Sequence, residues 1–152
     1  MYNHAPKDYD CPICQGLKGN SESSLIRESD FVYRDQNLSA IINSFFIQGN
    51  EGHVIIFPNH HFENIYEIDD EVLASIHKLS KKISVAMKKS YETHGITILQ
   101  NNEPASEQHA FHYHLHIFPR YEDDDFHENV SDKQKTTWAE RKPFADKLKK
   151  EL

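Results

Sequence analysis

The alternation of apolar and polar positions along the chain predicts a series of short strands. Apolar runs bounded by Asp, Asn and Gly are typical of strands and the turns between them. The predicted strands are 24–28, 31–34, 38–43, 53–57, 96–99 and 111–118. The first four are expected to form an antiparallel meander, and the last two a hairpin joined by the polar segment 100–110.

A long helix is predicted from residue 69 or 70 to about residue 92. Its apolar residues recur at intervals of three and four, as on one face of a helix. They are Val72, Leu73, Ile76, Leu79, Ile83, Ala86 and Met87. Acidic residues begin the segment, Lys88 and Lys89 lie near its end, and Gly95 follows it, which suits the helix dipole and a helix stop.

A second helix is expected near the C-terminus. Phe144, Leu148 and Leu152 recur every fourth residue, and Pro143 suits a first helical turn. The elements together predict an α+β fold. It consists of an antiparallel sheet of about five strands, one long helix packed on the sheet, and a C-terminal helix.

Composition and charge limit the classes of protein to which this chain can belong. At 152 residues, with 38% hydrophobic and 11% aromatic content, the chain is expected to form one globular domain over 1–152. Its net charge of −7 has the wrong sign for holding a nucleic-acid backbone, whereas a single nucleotide remains compatible. No apolar run suits a membrane span and the N-terminus lacks a secretory signal pattern, so a cytoplasmic location is expected.

Histidines form the most informative pattern in the chain. Of eleven histidines, three alternate with other residues in His112-Tyr-His114-Leu-His116. On a strand, these three imidazoles would share one face. One histidine alone is commonly a surface or hydrogen-bonded core residue, but three on one face favour a joint function. Such a row suits either a catalytic metal or a neutral imidazole that attacks phosphorus beside phosphate-binding neighbours.

The pattern His-x-His-x-His followed by two apolar residues resembles the signature of the histidine triad family of nucleotide hydrolases and transferases. The likeness covers about 8–121 and includes the runs 41–44, 52–58 and 101–103. The acidic loop and terminal helix at 122–152 lie outside it. The chain resembles the bacterial diadenosine polyphosphate hydrolase-like members, and the resemblance implies the histidine triad fold and a homodimer.

The resemblance also implies catalytic roles. His114 would be the nucleophile that forms a transient nucleotidyl-histidine, His112 would hold its orientation, and His116 would contact the α-phosphate. His109 stands where relatives often carry Ser or another polar group that helps to protonate the leaving group.

Further residues are implied to bind the nucleotide. Asn101 and the loop up to residue 109, including Gln108, would complete the phosphate cradle. Asn43 would contact the ribose and Ile42 would line the base. Many relatives carry Gly-Gln where this chain has Glu107-Gln108, so the backbone of this turn is not assumed to be the same.

Cys11 and Cys14 form a Cys-Pro-Ile-Cys pair whose spacing lets both thiolates reach one tetrahedral metal ion. From the residues alone, simple packing and a redox pair are alternatives. Such a pair binds structural zinc in some histidine triad proteins and in the related galactose-1-phosphate uridylyltransferases. The resemblance implies His61 and His112 as the other two ligands. We expect a structural zinc and no organic cofactor.

The sequence therefore predicts a hydrolase or transferase that cleaves at the α-phosphate of dinucleoside polyphosphates or nucleoside phosphoramidates. Two alternatives stay open: a non-catalytic nucleotide-binding adaptor, and a metal-dependent hydrolase that uses the same histidines. The expected partners are an AMP-containing purine nucleotide and a second copy of the chain, but neither nucleic acid nor a membrane.

Overall fold

The computed structural model describes residues 2–152, which contain four helices and seven strands. The helices are Pro12–Leu17 (α1), Asp70–Ser90 (α2), Phe126–Asn129 (α3) and Trp138–Lys149 (α4). The strands are Phe31–Arg34 (β1), Leu38–Ile42 (β2), Phe45–Ile47 (β3), Val54–Pro58 (β4), Gly95–Gln100 (β5), Leu115–Arg120 (β6) and Lys133–Lys135 (β7). No helix among these residues has the length and hydropathy to cross a membrane.

Five strands form one antiparallel sheet in the order β1-β2-β4-β6-β5. The sheet therefore has β1 and β5 at its edges and β2, β4 and β6 in its interior. Strands β3 and β7 pair antiparallel as a separate ribbon, which brings a C-terminal segment beside the end of β2. The prediction of about five antiparallel strands with a long helix and a C-terminal helix is confirmed.

The two faces of the sheet bury different clusters. One face packs against α2 and α4 through alternate strand residues, namely Leu38, Ala40, Ile42, Val54, Ile56, Leu115 and Ile117. The residues between them, including Ile41, Ile55 and Phe57, pack against the N-terminal residues Cys11 and Ile13. Every residue of β2 and β4 is consequently buried, so these strands show continuous rather than alternating hydrophobicity.

Two predicted strands differ from the observed ones. Residues 24–28 do not form a strand, because Arg27 donates to the Ser24 and Ile26 carbonyls and its own N–H donates to Asp30. These local bonds lead into a 3₁₀ turn at Glu28–Asp30 instead of a sheet ladder. The predicted strand 111–118 begins only at Leu115, since the N–H of Tyr113 donates to the carbonyl of Phe62.

Helix α4 begins earlier than predicted. Thr137 and Glu140 form a reciprocal capping box that starts the helix at Trp138, so Pro143 lies inside the helix rather than in its first turn. Leu148 is fully buried against the sheet, whereas Leu152 is exposed beyond the helix end. In the sequence, the Thr-x-x-Glu pattern at 137–140 is the signal that indicates where helix α4 begins.

A buried ion pair fastens α4 to the start of β1. Arg141 donates from Nε and Nη2 to the two Asp30 carboxylate oxygens, each at 2.9 Å. Both side chains are almost inaccessible, and Arg141 also donates to the carbonyls of Leu25 and Thr136. These bonds satisfy both charges, and they hold the segment that precedes α4, including β7, against the body of the protein.

Candidate active site and metal centre

A cavity of about 560 Å³ opens on the face of the sheet opposite α2. Its apolar part is lined by Ile13, Ile26, Ile41 and Ile55, and its polar part by residues that include His109, His114, His116, Asn43 and Asn101. This size and this mixture of an apolar lining with a few polar groups are usual for small-molecule sites.

The position of His114 is set by a main-chain contact. Its Nδ1 lies 2.7 Å from the carbonyl oxygen of His112, so Nδ1 carries the proton and donates it. In the neutral ring the other nitrogen, Nε2, then holds a free lone pair. Burial lowers the pKa of His114, which favours this neutral form. The arrangement provides a neutral imidazole with its Nε2 lone pair available.

His116 and His53 lie next to each other beside His114. The His116 ring is 4.8 Å from the His114 ring and 5.6 Å from the His53 ring, measured between centroids. Burial lowers the pKa of His116 well below its usual value, and it lowers the pKa of His53 to about 3. Asn43 donates from Nδ2 to Nε2 of His53 at 2.6 Å. His116 and Asn43 line the cavity, and the buried His53 contacts both of them, so this polar part of the site consists of neutral imidazoles and one amide.

The loop before the triad forms the rim of the cavity. His109 and Asn101 line it, and the Asn101 amide donates to the carbonyl of Ser106. Glu107 has φ +66°, the left-handed conformation for which glycine is favoured, so Glu107 adopts a glycine-like turn. Gln108 is buried and turned inward, where it donates to the Glu63 carbonyl and accepts from the Glu103 N–H. The Gln108 side chain therefore stabilises the loop from inside, and the role of Gln108 in nucleotide binding stays a prediction.

The ring of His112 belongs to a second site. Its Nε2 donates to the Pro58 carbonyl at 2.9 Å, which leaves Nδ1 as a lone-pair donor facing the two cysteines. Nδ1 lies 3.5 Å from Sγ of both Cys11 and Cys14, and Cys14 Sγ lies 3.4 Å from Nδ1 of His61. The four donor atoms lie within 4.8 Å of one another. The four residues predicted as ligands therefore lie together and form a possible metal site.

The cluster has the dimensions of a tetrahedral metal site. Zinc bonds of about 2.3 Å to sulfur and 2.0 Å to nitrogen imply sulfur-to-nitrogen distances of about 3.5 Å, close to those observed. Cys11 is the N-cap of α1, and Pro12 is the first residue of that helix. Because Cys14 follows Cys11 by about one helical turn, both thiols lie on the same side of α1. The Pro58 carbonyl orients His112 from behind, as second-layer groups do in metal sites.

The family follows from comparison with known proteins. The HIT domain model matches residues 26–123. Protein Hit of Bacillus subtilis is 33% identical over 111 residues, which are 73% of this chain and 71% of that protein. This chain belongs to the HIT family. HIT stands for histidine triad, so the membership predicted from the His-x-His-x-His motif is confirmed.

Two further HIT relatives support the assignment. Adenosine 5′-monophosphoramidase HNT1 of Candida albicans is 29% identical over 124 residues, covering 79% of this chain and 74% of that protein. The crystal structure of a Hit-like protein involved in cell-cycle regulation from Bartonella henselae matches with TM-score 0.70 and 29% identity. That match covers 81% of this chain and 86% of the other.

Two predicted positions in this HIT protein need correction. Ile42 was expected to line the base, but it is buried on the helix-facing side of β2, and its neighbour Ile41 lines the cavity. The reason is that consecutive strand residues point to opposite faces. The three triad rings also do not share one strand face, since His112 and His114 precede β6 and the His112 ring lies in the metal cluster.

Sequence reasoning missed two features of the site. His53 appeared only as the start of a strand, although its alternation with Ile55 and Phe57 indicated the cavity face. The segment 130–133 also lines the cavity, and Lys133 is part of it. No local pattern predicted this contribution, because it depends on the pairing of β7 with β3.

We predict that His53 makes the stability of the fold depend on pH. Its pKa is about 3 in the folded protein and about 6.5 when unfolded, so the unfolded chain binds more protons between these values. Stability therefore falls as the pH decreases through this window. Between about pH 7 and pH 5, the free energy of unfolding of His53→Gln should fall by about 2 kcal/mol less than that of the wild type.

Urea unfolding at the two pH values measures this difference. His77→Gln, at an exposed position of α2, is the matched control and should retain the wild-type pH dependence. Equal losses of stability in His53→Gln and the wild type would contradict the assignment of a buried, neutral His53.

Proposed function

We propose that this HIT protein is a nucleotide hydrolase or nucleotidyl transferase acting at the α-phosphate of dinucleoside polyphosphates or nucleoside phosphoramidates. The proposal depends on one observation: the His112 carbonyl holds the Nδ1 proton of His114 and leaves Nε2 free at a cavity of about 560 Å³. A preoriented neutral imidazole needs no further deprotonation before it attacks phosphorus.

The proposed reaction has two steps. Nε2 of His114 attacks the α-phosphorus, and the bond to the bridging oxygen or nitrogen breaks, its electron pair leaving with that atom. A leaving nitrogen also takes a proton, which His109 at the rim would donate, whereas a leaving oxygen departs as an anion. Water then attacks the same phosphorus and loses a proton, to His109 when the substrate is a phosphoramidate and to the solvent when it is a phosphoanhydride. The bond to His114 breaks and its electron pair returns to Nε2, releasing a nucleoside monophosphate.

The lining of the cavity supports a nucleotide as the substrate. His116 and Asn101 supply hydrogen-bonding groups near His114 for the α-phosphate, and Asn43 lies at the end of β2 for the ribose. The apolar part, which includes Ile41, suits a purine ring. The name of the Candida relative, an adenosine 5′-monophosphoramidase, supports an AMP-containing substrate.

The metal-dependent alternative is less well supported. The cluster draws on the ring of His112, whereas His114 and His116 line the cavity and lie outside the cluster. A metal in this cluster would therefore support the structure beside the catalytic loop. The non-catalytic adaptor remains the outcome if nucleotides bind without turnover. The single domain over 1–152 and the cytoplasmic location stay predictions.

We predict that His114→Ala abolishes the covalent intermediate. Wild-type protein mixed with diadenosine triphosphate or adenosine 5′-phosphoramidate should gain the mass of one adenylyl group, detected by rapid-quench intact mass spectrometry. The variant should show neither adduct nor turnover, because the attacking nitrogen is missing.

His127→Ala is the control, since His127 lies outside the cavity lining on α3. It should form the adduct as the wild type does. Loss of bound metal together with activity in His114→Ala would instead favour the metal-dependent reading. Binding of AMP by the wild type without any turnover would favour the adaptor.

The four-residue cluster is proposed to bind a structural zinc ion through Cys11, Cys14, His61 and His112. We predict about one equivalent of zinc in protein purified with zinc present. Cys14→Ser and His61→Ala should each lower the content well below one equivalent and reduce thermal stability, since binding to the folded state stabilises it.

Metal analysis by mass spectrometry and a thermal melt are the two measurements. His60→Ala removes the exposed histidine next to His61, which is not part of the cluster, and should retain the metal. Unchanged metal content in both ligand variants would contradict the zinc site.

A homodimer is proposed through the edge strand β5. Within residues 2–152 this strand pairs with β6 alone, and it contains Ile98, which is 42% exposed. An uncovered edge strand with an apolar side chain is a ready surface for antiparallel pairing with a second copy.

We predict a mass of twice the 17.8 kDa chain by light scattering. Ile98→Lys should weaken the dimer because it places a charge in the pairing surface. Val85→Lys, at a similarly exposed apolar position on α2, should remain dimeric. A wild-type mass equal to that of one chain would contradict the proposal.

A further inference from the structure

Lys133 is the cationic side chain of the cavity. Among the residues that line it, Lys133 is the one lysine, and no arginine contributes. Its side chain lines the same cavity as His114 and His116, where burial lowers the pKa of both histidines and the Lys133 charge adds to this effect. A positive charge therefore lies in the cavity that contains the proposed nucleophile.

This charge has no partner within the described part of the chain. The ion pairs formed among residues 2–152 do not include Lys133. The two carboxylates that line the cavity belong to Glu107 and Asp132, which are exposed, and Asp132 accepts a bond from Gln134. A half-buried, unpaired ammonium beside neutral imidazoles is suited to bind an anionic group from the ligand.

The backbone that carries Lys133 is firmly held. Lys133 pairs with Ile47 in the β3–β7 ribbon, and Ile47 is fully buried. The segment that follows is tied to the core, since Thr136 donates to the Ser44 carbonyl and Arg141 forms the buried pair with Asp30. Lys133 lies beyond residue 123, where the HIT domain match ends. The chain thus adds a cation from its own C-terminal part to the cavity of the HIT domain.

The charge of the leaving group determines what this cation can stabilise. A phosphoanhydride substrate carries a second phosphate, and negative charge builds on its bridging oxygen as the bond breaks. A fixed cation nearby stabilises that charge. The amine of a phosphoramidate leaves as a neutral molecule after protonation, so the same cation can contact only the α-phosphate.

We propose that Lys133 binds the phosphate next to the α-phosphate and thereby selects phosphoanhydrides, such as dinucleoside polyphosphates, over phosphoramidates. This inference rests on the proposed function and names the leaving group that the site prefers. Lys133 is in this view a specificity-determining residue, while His114 carries out the bond exchange.

The test compares two substrates and three variants. The value of kcat/KM is measured for diadenosine triphosphate and for adenosine 5′-phosphoramidate with the wild type, Lys133→Met and Lys133→Arg. Lys135→Met is the matched control, because Lys135 lies on the same strand, is exposed and does not line the cavity. Thermal melts of all variants verify that they are folded.

Lys133→Met should lower kcat/KM about 10- to 100-fold for the triphosphate, the range expected for one charged hydrogen bond. It should lower the value for the phosphoramidate less than about threefold, and Lys133→Arg should restore most of the difference. Lys135→Met should match the wild type. Equal losses on both substrates, or no loss on either, would overturn the inference.

A binding measurement separates this inference from the proposed function. By calorimetry, the wild type should bind ADP more tightly than AMP, and Lys133→Met should remove that preference while its affinity for AMP changes little. If the wild type turns over neither substrate, the proposed catalysis is wrong, and this measurement still decides the role of Lys133. An unchanged ADP preference in Lys133→Met overturns it.

Discussion

The hydrogen bond from His114 to the His112 carbonyl is the contact on which the candidate site depends. It fixes the tautomer and the direction of the His114 ring, and it exists only because residues before β6 leave the ladder of the sheet. The ring of His112 meanwhile points to Cys11 and Cys14, held by the Pro58 carbonyl. One residue thus joins the two sites, with its main chain facing the cavity and its side chain facing the metal cluster.

The sheet explains how both sites stay ordered. Its central strands are buried on both faces, so α2 and α4 support the side opposite the cavity. On the other face, His116 and Asn43 can therefore line the cavity, with His53 buried against them, without exposing the core. Burial among apolar residues keeps these imidazoles neutral, which suits nucleophilic chemistry but leaves the fold sensitive to acid.

Two parts of the site lie outside the five-stranded sheet, namely the loop at Glu107 and the segment that contains Lys133. Glu107 holds a left-handed turn at a cost on the order of 1 kcal/mol relative to glycine, and the inward bonds of Gln108 secure that loop. Lys133 comes from the segment after the matched domain, which the β3–β7 pairing and the Asp30–Arg141 ion pair hold in place. Glu107 and Lys133 both line the cavity.

The sequence by itself determined the α+β class, the span of α2, most strand positions, the HIT family and the Cys11, Cys14, His61 and His112 cluster. The secondary-structure elements follow from periodicity, which is a local property of the chain. The family and the two histidine ligands follow from the resemblance of the motifs to known histidine triad proteins. Tertiary structure alone decided that Ile41 rather than Ile42 lines the cavity, that His112 and His114 diverge, and that Lys133 enters the site. Each depends on strand register or on a contact between distant segments, and residue spacing carries no information about such contacts.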